Sequence, residues 1–99
     1  MTYSLVIRAE AELDIQQAYQ YYEKRDLGLG SEFVRAIDAS LSKIGRNPMA
    51  YPKAYKQVRR ALIRRFPYGI FYVVEDKRVV VIACFHAKRN PQSLSDREP

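Results

Sequence analysis

The sequence predicts an α+β fold of order β-α-α-β-β-β, a helical hairpin laid on a mostly antiparallel sheet, with residues 1–99 forming one domain. Three observations point to it: two neighbouring segments with apolar residues at helical spacing, a run of short β-prone segments after residue 57, and a stretch, Val79 to Phe85, that is apolar at every position.

Taken in order, residues 2 to 8 hold Leu5, Val6 and Ile7 and read as a first strand. From Ala9 to Arg25, Ala11, Ile15, Ala18 and Tyr22 recur at intervals of four, three and four, the spacing of one helix face. Glu10, Glu12 and Asp14 at the start and Lys24 and Arg25 at the end suit the helix dipole. Leu27-Gly28-Leu29-Gly30 is a short break. A second amphipathic helix starts at Ser31 and carries Phe33, Val34, Ile37, Leu41 and Ile44, with Gly45 ending it in the left-handed conformation and Pro48 beyond. The short connection makes the two helices an antiparallel hairpin. Asn47 to Gln57, with Pro48 and Pro52, reads as loop.

Three strands are expected next, Val58 to Arg65, Gly69 to Val74 and Arg78 to His86, the last two joined at Glu75-Asp76-Lys77. The apolar run of the third predicts a central strand covered on both faces. The first interleaves Arg59, Arg60, Arg64 and Arg65 with Ala61, Leu62 and Ile63, so neither of its faces is cleanly apolar and its phase is open. Asn90 to Pro99 is polar and reads as a loosely packed tail.

Charge is strongly segregated along the chain. Residues 1–38 carry −3, residues 39–74 carry +8 with no acid at all, and residues 75–99 carry +1. Such a field favours an anionic partner, a nucleic acid or an acidic protein segment, although a solvated basic face has the same composition. The single cysteine, Cys84, and single histidine, His86, exclude an internal disulfide and a tetrahedral zinc site. No phosphate-binding glycine loop, metal triad or serine hydrolase signature occurs, so no metal or cofactor is expected. The N-terminal apolar run is too short for a signal-peptide core, and no stretch approaches the roughly 20 apolar residues of a membrane span, which predicts a cytoplasmic protein with no membrane contact.

The candidate functional residues are therefore the cationic and aromatic ones of the second half. Arg59, Arg60, Arg64, Arg65, Lys88 and Arg89 can hold phosphates or carboxylates, and Tyr68 and Tyr72 can stack on bases or serve as sheet packing. His86, at a strand end, is the ordinary proton carrier near neutral pH, or a structural residue. Metal-free RNA cleavage needs a base, phosphate-stabilising cations and an acid, and His86 with Arg60, Arg64 and Arg89 would supply them. If Arg60 and Arg64 lie on one strand, period two puts them on one face, about 13–14 Å apart. That face would be the surface for which target and partner compete.

The strings Val58-Arg59-Arg60-Ala61-Leu62, Arg65-Phe66-Pro67-Tyr68-Gly69-Ile70-Phe71-Tyr72 and His86-Ala87-Lys88-Arg89-Asn90-Pro91 closely resemble the RelE/ParE superfamily of bacterial toxin–antitoxin toxins. Asp14-Ile15, Tyr21-Tyr22, Asn47-Pro48 and Tyr51-Pro52 extend the resemblance over nearly the whole chain. It implies growth inhibition, a role in plasmid stabilisation, and an acidic cognate antitoxin that masks the toxin with an extended or helical segment. A homodimer or a toxin–antitoxin hetero-oligomer is the implied assembly.

The implied target is DNA gyrase or the ribosome with its messenger RNA, the second as an endoribonuclease. The ribosome-dependent nucleases place an arginine where Gly69 stands and a catalytic tyrosine or equivalent near Leu94. Both departures weigh against the nuclease. The tail of His86, Arg89, Pro91 and Arg97 resembles the ParE-like branch, with Leu94 in place of a tryptophan. A non-toxic RNA-binding module is the alternative of another class.

Overall fold

A computed structural model describes residues 3–97. The elements are β1 (Ser4–Ile7), α1 (Ala9–Arg25), α2 (Leu29–Arg46), a 3-10 turn (Pro48–Ala50), β2 (Lys53–Tyr55), β3 (Val58–Leu62), β4 (Tyr68–Glu75), β5 (Arg78–His86) and a second 3-10 turn (Pro91–Leu94). The expected ends of the first strand at Thr2 and of the tail at Glu98 and Pro99 lie outside the described residues. The five strands form one sheet in the order β1-β5-β4-β3-β2, with β1 parallel to β5 and the other pairs antiparallel.

The helical hairpin covers one face. Ala11, Ala18, Phe33, Ile37, Leu41 and Ile44 pack on Ala61, Ile70, Tyr72, Val79 and Val81. The close approach of the helices rests on two glycines. Gly28 turns the chain at φ +89°, and a Cβ on Gly30 would stand 2.7 Å from the Tyr19 carbonyl oxygen. Glu23 of α1 accepts from the amides of Gly28 (2.9 Å) and Gly30 (3.0 Å). One carboxylate thus satisfies two of the orphan N–H groups at the start of α2, which has no side-chain cap of its own.

The opposite face carries a second apolar layer, Val58, Phe71, Val73, Val80, Ile82, Ala83 and Phe85, closed by Leu94. As expected, every residue from Val79 to Phe85 is buried. A bulge divides them between the layers. Register jumps from Phe71 opposite Ala83 to Tyr72 opposite Val81, leaving Ile82 unpaired, so Ile82 and Ala83 both face the outer layer.

Five expectations are corrected. The second helix begins at Leu29 rather than Ser31. Gly45 does not end it in the left-handed region; it lies inside α2, buried where β1 crosses, and its carbonyl accepts from Tyr3 N at 2.8 Å. The segment read as loop contains β2, which completes the sheet through a turn at Lys56 (φ +52°), making the order β-α-α-β-β-β-β. The strand expected to run to Arg65 stops at Leu62, because Ile63 and Phe66 turn into the core and Arg65 adopts φ +72°.

The tail, expected to be loosely packed, is docked instead. Leu94 is fully buried against the outer layer, and Arg97 pairs with Asp14 of α1. The apolar outer face of β4 and β5 needs a cover, and Leu94 with Arg97 supplies it.

Candidate functional site

The pairing of β3 with β4 settles the phase of the arginines. Arg59 stands opposite Tyr72 and Arg60 opposite Phe71, so Arg59 shares the helix-side face and Arg60 the outer one. Arg59 reaches to the rim and donates to the carbonyl oxygens of Tyr51 (2.6 Å) and Met49 (3.4 Å), which ties β3 to the segment before β2. The stem of Arg60 lies over Gly69, where a Cβ would come within 3.1 Å of its Cγ. A side chain at Gly69 would displace that arginine.

Arg64 and Arg65 belong to the turn after β3 and point toward α2. Arg64 lines a groove with Ala36, Ala39, Ser40, Lys43, Leu62 and Ile63. Arg65 pairs with Glu32 at 2.8 Å in an exposed contact. The expected sharing of one strand face by Arg60 and Arg64 therefore fails, since Arg64 is not in the strand. Tyr72, expected among the binding residues, is fully buried and donates its hydroxyl to Pro48 O at 2.6 Å. Its role is to anchor the turn after α2 on the sheet.

His86 and Tyr68 face each other across the β4–β5 ladder, their ring centroids 5.5 Å apart. Tyr68 is half-buried and its ring meets Tyr22 and Phe33. Burial, the larger cause, and neighbouring tyrosine or cysteine groups raise the phenols of Tyr22 and Tyr68 above their ordinary value, so both are hydrogen-bond donors at neutral pH. His86 is exposed, and its Nδ1 accepts from Lys88 N at 3.1 Å. The neutral imidazole accordingly carries its proton on Nε2.

Two hollows adjoin along the seam between α1 and the end of the sheet. One of about 470 Å³ is lined by Tyr21, Tyr22, Arg25, Pro67, Tyr68 and His86. The other, about 240 Å³, shares Tyr21, Tyr68 and His86 and adds Asp14, Gln17 and Arg89 among others. Of the expected catalytic set, His86 and Arg89 meet here, while Arg60 is on the opposite sheet face and Arg64 lies beside α2. Lys88 is exposed in the following turn.

Two acids of α1 are already engaged, one of them, Asp14, in the lining of the second hollow. Asp14 accepts from Arg97 and from Cys84 N (3.0 Å), and Glu23 holds the two glycine amides. Burial first and the Asp14 carboxylate second push the Cys84 thiol up to about 12, which removes it as a nucleophile at neutral pH. Among the described residues no group of three His, Cys, Asp or Glu could hold a metal ion. No helix among them is long and apolar enough to cross a membrane.

Sequence reasoning on the arginines overlooked Tyr21, Tyr22, Arg25 and Gln17, which α1 brings to the seam. The signal was present in the spacing, because Arg25 follows Tyr21 by four and so lies over it.

Over residues 5–91 the sequence matches the family described as the ParE toxin of type II toxin-antitoxin system, parDE. Among solved structures it resembles the chromosomal ParDE TA system from P. aeruginosa, with a TM-score of 0.77 and 17% identity over 86% of this chain and 96% of that one. It also resembles the toxin-antitoxin complex RelBE2 from Mycobacterium tuberculosis, with a TM-score of 0.63 and 15% identity over 87% and 99%. No curated protein sequence matches it significantly. Sequence strings, fold and family match converge, and the chain belongs to the ParE toxin family of type II toxin–antitoxin systems, within the RelE/ParE superfamily.

Proposed function

We propose that this chain arrests growth in the cytoplasm by acting on DNA gyrase, and that an acidic cognate antitoxin holds it in check. The observation that carries the reading is the separation of Arg60 from His86 by the thickness of the sheet. Phosphate-stabilising cations must converge on the group that moves the proton. Of Arg60, Arg64 and Arg89, the arginines expected in a nuclease site, Arg89 alone shares a hollow with His86, where Arg25 of α1 adjoins it. Burial of Leu94 in the outer layer also leaves that tail position without a group for catalysis.

The antitoxin surface in this reading is the groove between α2 and the turn after β3. Its floor is apolar, with Leu62 58% exposed, and Arg35, Lys43, Arg64 and Arg65 stand at its rim. An amphipathic acidic segment satisfies both features, by apolar burial and charge pairing.

The nuclease reading draws on one observation, the shared hollow of His86 and Arg89, with His86 Nδ1 taken up by the Lys88 amide. Induced expression of this chain in a bacterial host separates the two. Trapped gyrase–DNA complexes with intact messenger RNA are the expected outcome. Cleaved ribosome-bound messenger, lost by roughly 10²- to 10⁴-fold in His86→Ala, would establish the nuclease instead. Soluble protein with no growth effect that retains RNA would favour a non-toxic binding module.

A further inference from the structure

The paired hollows at the α1 seam differ in kind from the groove beside α2. Three tyrosines and His86 line them, and the first hollow contains no aliphatic side chain apart from Pro67. Branched apolar anchors of a peptide find no socket there, whereas flat rings find edges and faces. Tyr21 is 52% exposed, with the Arg25 guanidinium 5.3 Å from its ring centre and donating to its hydroxyl at 2.9 Å. Arg89 stands in the second hollow, its guanidinium stacked over the Phe85 ring at 3.8 Å with its N–H edges left to donate.

The electrostatics point the same way. Among the described residues neither Arg25 nor Arg89 forms an ion pair with an acid, and Asp14, the carboxylate that lines the second hollow, is engaged by Arg97 and the Cys84 amide. Cations with free charge beside exposed rings, with tyrosine hydroxyls and the His86 Nε2 proton as donors, constitute a stacking platform with phosphate contacts. We propose that the seam binds an unpaired segment of nucleic acid, with bases stacked on Tyr21 and His86 and phosphates held by Arg25 and Arg89. A duplex is excluded by the same chemistry, since its bases present no free faces. The inference stands independently of which target the chain arrests.

Fluorescence anisotropy with a labelled ten-nucleotide strand of mixed sequence, made as DNA and as RNA, tests it on the full chain. Both strands should bind more tightly than the matching duplex, and a preference for RNA would add a contact to the 2′-hydroxyl. Tyr21→Ala should weaken binding by about 5- to 150-fold, while Tyr21→Phe, which keeps the ring, should bind nearly as wild type. Arg25→Ala should reduce the salt slope by about 0.7. Both positions are exposed, so the core is untouched, and Lys53→Ala on β2 serves as the control. Equal affinity for duplex and single strand, no response to Tyr21→Ala, or competition by polyglutamate of equal charge would overturn the proposal. Growth arrest is scored separately: a chain that arrests cells but fails these measurements refutes the seam and leaves the toxin reading intact.

Discussion

Asp14 and Arg97, 83 positions apart, meet in a two-pronged ion pair that locks the end of the chain onto the first helix. The arginine also donates to Ile82 O at 3.3 Å, the carbonyl of the bulged residue, and lies 4.8 Å from the Phe85 ring centre. One side chain therefore joins α1, the bulge of β5 and the tail.

With only 20% of Arg97 and 11% of Asp14 exposed, breaking the pair leaves a partly desolvated charge. Arg97→Ala should cost about 1–3 kcal/mol, below the 3–5 of a fully buried pair because water still screens it. Urea denaturation would show this as a lower midpoint, and a double-mutant cycle with Asp14→Asn should give a coupling well above the measurement error. Additive effects would mean the contact is incidental.

Leu94 closes the outer apolar layer with no exposure at all. Leu94→Ala should destabilise the fold by about 2–5 kcal/mol, the range for opening a cavity in a packed core. A loosely attached tail would lose far less, so the same denaturation series distinguishes docking from fraying.

Replacing glycine by alanine inside a helix ordinarily stabilises it. At Gly30 the sign should reverse, because the new Cβ would meet Tyr19 O at 2.7 Å and the Tyr19 ring at 2.8 Å. A loss of about 1–3 kcal/mol is expected, visible as a fall in melting temperature of several degrees. An unchanged or higher melting temperature would show that the helices can separate without cost.

Burial pushes the Tyr72 hydroxyl from 10.0 up to about 12, against the opposing pull of Arg59, and the Cys84 thiol from 9.0 up to about 12. Both keep their protons longer folded than unfolded, so their contribution is complete at lower pH and is lost as pH rises from about 9 or 10 toward 12. Stability measured between pH 8 and 11.5 should fall, and Tyr72→Phe should flatten part of that fall while costing about 1 kcal/mol for the hydrogen bond to Pro48. Alkylation of Cys84 by iodoacetamide at pH 8 should await unfolding.

The groove beside α2 invites a charge test. Arg64→Glu with Arg35→Glu should slow antitoxin association and flatten its salt dependence, since both cations stand at the rim. Reversal of Arg60, on the far face, should alter that rate much less. Equal effects at all three positions would move the antitoxin elsewhere.

The helical hairpin, the hairpin of the last two strands and the doubly covered run from Val79 to Phe85 were legible in the residues because each rests on local periodicity, and the local strings carried the family. Long-range contacts decided the rest. Three-residue β2 is a strand only because β3 lies beside it, and β3 ends at Leu62 only because Ile63 and Phe66 have a core to enter. That early end separated Arg64 from Arg60, and the pairing of Arg59 with Tyr72 selected which arginine faces the helices. Likewise Tyr72 looked available as a ring on a strand until Pro48, 24 positions away, took its hydroxyl, and the tail looked polar until Leu94 met the outer face. Periodicity is a property of neighbours in the chain and is written in it. Which face an arginine presents, and whether it finds phosphate, carbonyl or carboxylate, depends on atoms brought from distant positions, and only the folded chain brings them.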